Sequence, residues 1–321
     1  MKSIGGFLPL ETAVGGEPYH RGGVALASGR ACWHAILRDR RPARVRLPFY
    51  ICDAVLQPLV AMGTPFAFYP LDDQFRPAVD VRPRDDELVL LVNYFGLLTD
   101  VVDEIVNAGG DRLVVDDTQA FFRRGRTDRF SFNSARKFFG VPDGAYLFGP
   151  AVIHEDLPPS DIADCEHLIG RRDGDSERAW SLFQRHEARV GIELRAMSDV
   201  SERLLAGVDA SAARLTRREN FAAIDRQLGR RNAIALSHES LALDAGPLCY
   251  PFLPDRCLDR AALGRRGIFV PTFWPELEQR TDRGFDAERT IARRLLPLPI
   301  DHRYGPSEMQ VVADTILQVL S

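Results

Sequence analysis

Arg112-Leu113-Val114-Val115-Asp116-Asp117-Thr118-Gln119-Ala120 is an apolar run that ends on two carboxylates, and 21 residues past Asp116 stands Lys137, closing Phe130-Ser131-Phe132-Asn133-Ser134-Ala135-Arg136-Lys137. A strand that is apolar at successive positions has no solvent face. It belongs inside a sheet covered on both sides, as parallel sheets are. Glu87-Leu88-Val89-Leu90-Leu91-Val92 is a second run of the same kind. Between the two, Thr99-Asp100 starts a helical pattern through Val106 that stops at Gly109-Gly110. Strands separated by helices with short connections predict an α/β layer with a mostly parallel sheet.

The pattern extends in both directions. Upstream, Ser28 precedes Gly29-Arg30-Ala31-Cys32-Trp33-His34-Ala35-Ile36-Leu37, an N-cap followed by apolar residues at helical spacing. Arg44–Leu47 and Phe66–Tyr69 read as strands, with a helix over Cys52–Met62 that stops at Gly63 and is kinked or broken at Pro58. Further strands are expected near Arg129–Phe132 and Ala145–Phe148. Residues 1–24 lack a period and read as an N-terminal arm, ahead of a large domain over 25–175. A charged helical stretch over 176–230 connects it to a small C-terminal α/β or α+β domain at 231–321. In that last part, strands are expected at 248–253 and 267–270, and helices near 256–266, 286–296 and 306–320.

Composition narrows the function classes. The chain of 321 residues is 45% hydrophobic, carries a net charge of −4 and has a pI near 6.0. No apolar run approaches the ~20 residues of a membrane span. The balance lacks the basic excess that would draw nucleic acid or anionic membranes. The N-terminus shows no secretory leader pattern, and five scattered cysteines read as reduced thiols, so a cytoplasmic protein is expected. The seven histidines form no HExxH and no cluster at ligand spacing, and no metal site is expected. Nor is there a GxxxxGK[ST], a GxGxxG after a strand, or a GxSxG. Doublets such as Asp72-Asp73 and Asp85-Asp86 lie in turn-like polar stretches.

Of 41 basic residues only Lys2 and Lys137 are lysines. Arginine stays protonated near neutral pH, whereas lysine becomes a nucleophile once a site lowers its pKa. Ligands of open α/β sheets gather at the C-terminal ends of the strands. There the sequence sets Ser28-Gly29-Arg30 at a helix start, Asp116 at a strand end, Gln119, and Lys137. A helix N-terminus cradles a phosphate, a carboxylate keeps a pyridinium protonated, and an amine condenses with an aldehyde. Those are the parts of a pyridoxal 5'-phosphate site.

The chain resembles the fold type I pyridoxal-phosphate enzymes, and within them the DegT/DnrJ/EryC1 group of sugar aminotransferases. The resemblance covers most of 20–320. It is carried by Ser28-Gly29-Arg30-Ala31, Leu47-Pro48-Phe49-Tyr50-Ile51-Cys52, Val92-Asn93-Tyr94-Phe95-Gly96, Val115–Ala120, Phe130–Lys137, Val141-Pro142-Asp143-Gly144-Ala145 and Leu296-Pro297-Leu298-Pro299-Ile300. It implies a three-layer large domain with a mostly parallel sheet, a smaller C-terminal domain, and a homodimer whose active site is completed by the other subunit. It makes Lys137 the residue that forms the imine with the cofactor and then moves the proton. Asp116, rather than Asp117, pairs with the ring nitrogen. Gln119 contacts the phenolic oxygen, and the N–H groups of Gly29, Arg30 and Ala31 take the phosphate. Tyr50 is the candidate to stack on the ring, and Asn93 and Phe95 are candidates for substrate contact.

The chain departs from the group in four ways. Phe132 stands five before the lysine, where many members carry the phosphate serine, so Ser134 and Ser131 compete, with Ser134 preferred. Gly144-Ala145 replaces Gly-Gly, Asn93 stands where many members have histidine, and the chain is shorter after residue 150. The implied reaction is amino transfer from an amino acid such as glutamate to a keto group on a nucleotide sugar. A dehydration on the same cofactor, and a non-catalytic ligand-binding relative, stay open.

Overall fold

The structure, a computed structural model, describes residues 3–150, 156–235, 241–242 and 244–320. Its centre is a seven-stranded sheet in the order β2-β8-β7-β6-β5-β3-β4. The strands are β2 (Val24–Leu26), β3 (Arg44–Pro48), β4 (Phe66–Tyr69), β5 (Glu87–Val92), β6 (Leu113–Asp117), β7 (Phe130–Asn133) and β8 (Ala145–Phe148). Strands β3 to β7 run parallel, and β8 is antiparallel to both its neighbours. All six residues of β5 and all five of β6 are buried, as continuous apolar runs require. The α/β class and the mostly parallel sheet expected from the sequence are thus what is observed.

The connecting helices are α1 (Gly29–Arg40), α2 (Asp53–Met62) and α3 (Thr99–Gly109). Ser28 caps α1, its Oγ accepting from Ala31 N–H at 3.1 Å. Helix α1 buries Ala31, Cys32, Trp33, Ala35, Ile36 and Leu37 in the main core with β3, β5 and β6. Helix α2 runs through Pro58 without the break that was one of the two expected outcomes, and ends on the left-handed Gly63. A proline removes only its own bond to the i−4 carbonyl, here that of Ala54, a cost that one well-packed turn can absorb.

The stretch expected as a helical connector contains α5 (Ser176–Arg189), α6 (Asp199–Gly207) and α7 (Ala210–Leu228), and α4 (Glu166–Asp173) stands just before it. C-terminal to these come β9 (Tyr250–Phe252), α8 (Arg260–Arg265), β10 (Ile268–Phe269), α9 (Asp286–Arg294), β11 (Leu296–Leu298) and α10 (Pro306–Leu320). Strands β9 and β11 pair antiparallel, and Phe221, Ile224, Leu228, Leu263, Met309, Val312 and Ile316 pack with them into a second apolar cluster. The N-terminal arm reaches this part of the molecule, where β1 (Ile4–Gly5) pairs in parallel with β10. Among the described residues no helix is long and apolar enough to cross a membrane, and all five cysteines are free.

Candidate active site

Pairing register decides which side chains meet at the C-terminal edge of the sheet. Asp116 lies opposite Val92 and Phe132, and Asp117 lies opposite Asn133. Side chains alternate along a strand, so Asp116 and Phe132 share one face while Asp117 and Asn133 share the other. On the first face opens a cavity of about 600 Å³. Its lining includes Gly29, Arg30, Asp116, Gln119, Ser134 and Lys137. Six residues from three separate stretches of sequence therefore meet in one place.

Lys137 ends a 3-10 turn, Ala135–Lys137, just after β7. The turn is held by Ala135 N–H to the Gly144 carbonyl at 3.0 Å and by the buried Phe138 and Phe139 behind it. Gly144 has φ 122°, a region open to glycine, and its own N–H bonds the Ala27 carbonyl at 2.9 Å. Asp143 anchors the same loop, its buried carboxylate accepting from Ser198 N–H at 3.0 Å and Ser198 Oγ at 2.6 Å. Lys137 is exposed to the cavity, and its Nζ donates to Thr118 Oγ1 at 3.0 Å. Thr118 N–H in turn donates to Asp116 Oδ1 at 2.8 Å. Burial pushes the Asp116 carboxyl above its usual range, and the Lys137 ammonium and the two hydrogen-bonding groups of Thr118 pull it back. Thr118 thus joins the amine to the carboxylate, a role that its sequence position two past Asp116 does not reveal.

Asp117 is committed elsewhere. Its Oδ2 accepts from Arg123 at 2.6 Å, and its Oδ1 accepts from Asn93 Nδ2 at 3.1 Å. Gln119 is buried, and its Oε1 accepts from Phe95 N–H at 2.7 Å, which leaves the amide nitrogen as the group it can offer the cavity. The first N–H groups of α1, those of Gly29 and Arg30, precede any intrahelical bond and point out of the helix end. A Cβ on Gly29 would lie 3.2 Å from Thr118 Cγ2 and 3.4 Å from the Asn133 carbonyl, so the helix start sits close against the β6 and β7 ends. Arg30 donates to the Val190 carbonyl, and burial lowers its pKa. Arg136 and Glu187, both at the cavity, form an ion pair.

Five of the expected residues lie off the cavity. Ala31 does not line the cavity, and its N–H is taken by Ser28 Oγ, because the N-cap uses it to close the first turn. Ser131 is buried in β7 against Val115 and Phe148 and points to the opposite face from Phe132, whereas Ser134 reaches the cavity. Tyr50 is fully buried among Phe75, Tyr94 and Trp274, and the cavity is lined instead by Trp33, Cys52, Phe132 and Trp274. Asn93 and Phe95 are buried away from the cavity. Asn93 pins the start of α3 through Thr99 Oγ1 and Leu98 N–H, both at 3.0 Å. Phe95 takes φ 58° in a turn and stacks on Phe273, a cavity residue, at 6.4 Å. Lys2 lies outside the described residues.

Another residue escaped the sequence reading. Arg217 on α7 is 1% exposed, lines the cavity, and donates to the carbonyls of Pro247, Leu248 and Phe138 at 3.1–3.3 Å. Its guanidinium also stands 4.8 Å from the Phe138 ring, and burial lowers its pKa to about 10. It locks the backbone beside Lys137, and only the 80-residue separation of 217 from 137 hid it from the sequence.

No protein-family model and no curated protein matches the sequence. Solved structures do. The aminotransferase TlmJ from Streptoalloteichus hindustanus matches with a TM-score of 0.67 at 15% identity over 99% of this chain and 98% of that one. The sugar aminotransferase CalS13 from Micromonospora echinospora matches with a TM-score of 0.59 at 17% identity over 91% and 86%. The PLP form of Spr1654 from Streptococcus pneumoniae matches with a TM-score of 0.64 at 13% identity over 98% and 98%. The chain folds as these proteins fold, through almost its whole length.

Proposed function

We propose that this protein is a pyridoxal-phosphate-dependent aminotransferase that moves an amino group from an amino acid such as glutamate to a keto group on a sugar nucleotide. The observation that carries the reading is the meeting of Lys137, Asp116, Gln119 and the N-terminus of α1 on one cavity. The donor set fits the cofactor. Gly29 and Arg30 N–H, with the Ser134 hydroxyl, which takes no protein partner among the described residues, suit a phosphate. The Gln119 amide nitrogen suits a phenolic oxygen, Asp116 a protonated ring nitrogen, and Lys137 an aldehyde. A cavity of about 600 Å³ is within the range that holds a cofactor with part of a substrate.

When bound, the cofactor supplies an electron sink that makes the bond from carbon to hydrogen beside the substrate nitrogen acidic. The protein's own groups do the rest. Burial raises the pKa of the Asp116 carboxyl while Lys137 and Thr118 oppose the rise, and this carboxylate is the group that would hold a proton on the ring nitrogen. The amine of Lys137 is the group that would take a proton from the substrate carbon and hand it back across the neighbouring nitrogen. Thr118 Oγ1 orients that amine. Trp33, Phe132 and Trp274 keep the cavity wall apolar, which strengthens each of these charge interactions.

The unit that works is read as a homodimer, with the partner subunit closing the cavity. The exposed Trp180 (52% accessible) supports this, because it lies with Phe7 and Phe183 at the cavity rim. Incubation with 15N-glutamate and a keto-sugar nucleotide is the test. Transfer of 15N to the sugar, dependent on Lys137, is expected. A dehydrated, nitrogen-free product, or a chromophore that never exchanges its amino group, would overturn the reading.

A further inference from the structure

We propose that Asp164, His167 and His186 form a divalent-metal site, best suited to Zn²⁺, on the outer side of the α4–α5 hairpin. One ligand atom from each of the three lies within 4.8 Å of the others. Asp164 precedes α4, His167 is in its first turn, and His186 is in the last turn of α5, so the antiparallel packing of the two helices makes the cluster. Both imidazoles are 2% exposed, with ring centroids 4.3 Å apart.

The tautomer is what points to a ligand. His186 Nε2 lies 2.7 Å from the Pro142 carbonyl, which can only accept, so the proton is on Nε2. Nδ1 then carries a lone pair and lies 3.6 Å from Asp164 Oδ1, too far for a hydrogen bond. Among the described residues neither His186 Nδ1 nor His167 Nδ1, both buried, has a hydrogen-bond partner. A buried lone pair that faces a carboxylate is unfavourable unless a cation lies between them.

An imidazole that donates one N–H to a backbone carbonyl and directs the other nitrogen at a carboxylate is how ligating histidines are held. The second carboxylate oxygen of Asp164 pairs with Arg189 at 2.5 Å, which fixes the side chain and leaves Oδ1 for the ion. A neighbouring cavity of about 490 Å³, lined in part by Ser160, Asp161, Asp164, His186 and Arg189, gives water the access to supply the fourth ligand. Tetrahedral zinc at ~2.1 Å places its ligands about 3.4 Å apart, so loading tightens the hairpin by roughly an ångström. His186 also holds the Pro142 carbonyl, five residues after Lys137, and Glu187 beside it pairs with Arg136. The ion therefore stiffens the wall behind the lysine turn. This proposal is independent of the reaction proposed above.

The test is Zn²⁺ titration of chelator-stripped holoprotein against a chromophoric chelator, with Co²⁺ absorption as a second readout. One equivalent binding tighter than about 1 µM is expected, together with cobalt bands of a tetrahedral or five-coordinate N/O site. Asp164→Asn, at a surface position that the fold tolerates, and His167→Gln should each weaken the site at least tenfold. Zn²⁺ should raise the Tm of the natural chain and leave that of Asp164→Asn unmoved. Absence of any site tighter than about 0.1 mM in the folded natural chain would overturn the proposal. So would stoichiometric binding that both substitutions leave unchanged.

Discussion

Asp116 and Asp117 are adjacent, equally buried and chemically identical, yet exchanging each for asparagine should have opposite consequences. Asp117 is half of a buried ion pair with Arg123 at 2.6 Å. Removing one partner of such a pair costs about 3–5 kcal/mol, because the other charge is stranded. Asp103 also pairs with Arg123, at 2.5 Å, and keeps part of the compensation, which puts Asp117→Asn near the lower figure, about 3 kcal/mol. At about 2.1 cal/mol/K of unfolding entropy per residue, 321 residues give roughly 0.7 kcal/mol/K, so Tm should fall by about 4 °C. Burial raises the pKa of both carboxyls, but among the described residues Asp116 pairs with no arginine, so its loss strands no guanidinium. An asparagine there still accepts from Thr118 N–H. Tm of Asp116→Asn should therefore stay within ~2 °C or rise. Turnover should behave in reverse. Loss of the charge facing the cavity should lower the rate of cofactor conversion by glutamate about 10²–10³-fold, the scale of one preorganised electrostatic contact. Asp117→Asn should stay within a few-fold of the natural rate below its melting range. Differential scanning fluorimetry and the visible spectrum of the cofactor read both quantities on one preparation. If Asp117→Asn lost activity at constant Tm, or Asp116→Asn lost stability at constant activity, the two faces of β6 would have been assigned the wrong way round.

Three further substitutions and one pH profile follow from named contacts. Gly29→Ala places a methyl 3.2 Å from Thr118 Cγ2, so the helix start must move by a few tenths of an ångström. About tenfold weaker cofactor binding at nearly constant Tm is expected by equilibrium dialysis. Tyr50→Phe deletes a buried hydroxyl that has no hydrogen-bond partner among the described residues. It should be neutral or stabilise by ~1 kcal/mol and leave the cofactor spectrum unchanged, whereas a ring-stacking residue would alter that spectrum. Burial of His20 lowers its pKa from 6.5 to about 4. The unfolded chain then binds the extra proton between those values, so His20 contributes its full share of stability above pH 6.5. That share, about 3 kcal/mol, is lost as the pH falls towards 4. Denaturant titrations at pH 7 and pH 4.5 should show the loss, and His20→Gln should flatten it.

The strands were legible because a buried parallel sheet permits only apolar runs, and Glu87–Val92 and Leu113–Asp117 have no other way to be satisfied. Asp116 stood out as a carboxylate at the end of such a run, and Lys137 as one of only two lysines among 41 basic residues. What escaped the sequence depends on geometry across the chain. Ser131 lies within β7 and Ser134 just past its end, and only the pairing of β7 with β6, which sets Phe132 and not Ser131 opposite Asp116, shows that Ser131 faces away. Tyr50 follows β3 at a turn, and nothing in its own spacing says that the ring folds inward onto Trp274. Arg217 reaches the lysine turn from α7, and His167 and His186 meet only because α4 and α5 pack antiparallel. Both are long-range consequences of tertiary packing, and local periodicity carries no trace of them.

Whether Lys137 is the amine that holds the cofactor can be measured directly. The purified protein, loaded with pyridoxal phosphate, is reduced with borohydride, digested and mapped by mass spectrometry. A single phosphopyridoxyl group on the peptide containing Lys137, absent from Lys137→Ala, is the predicted result. A label on Lys2 or the terminal amine, or no label on folded protein, would contradict it.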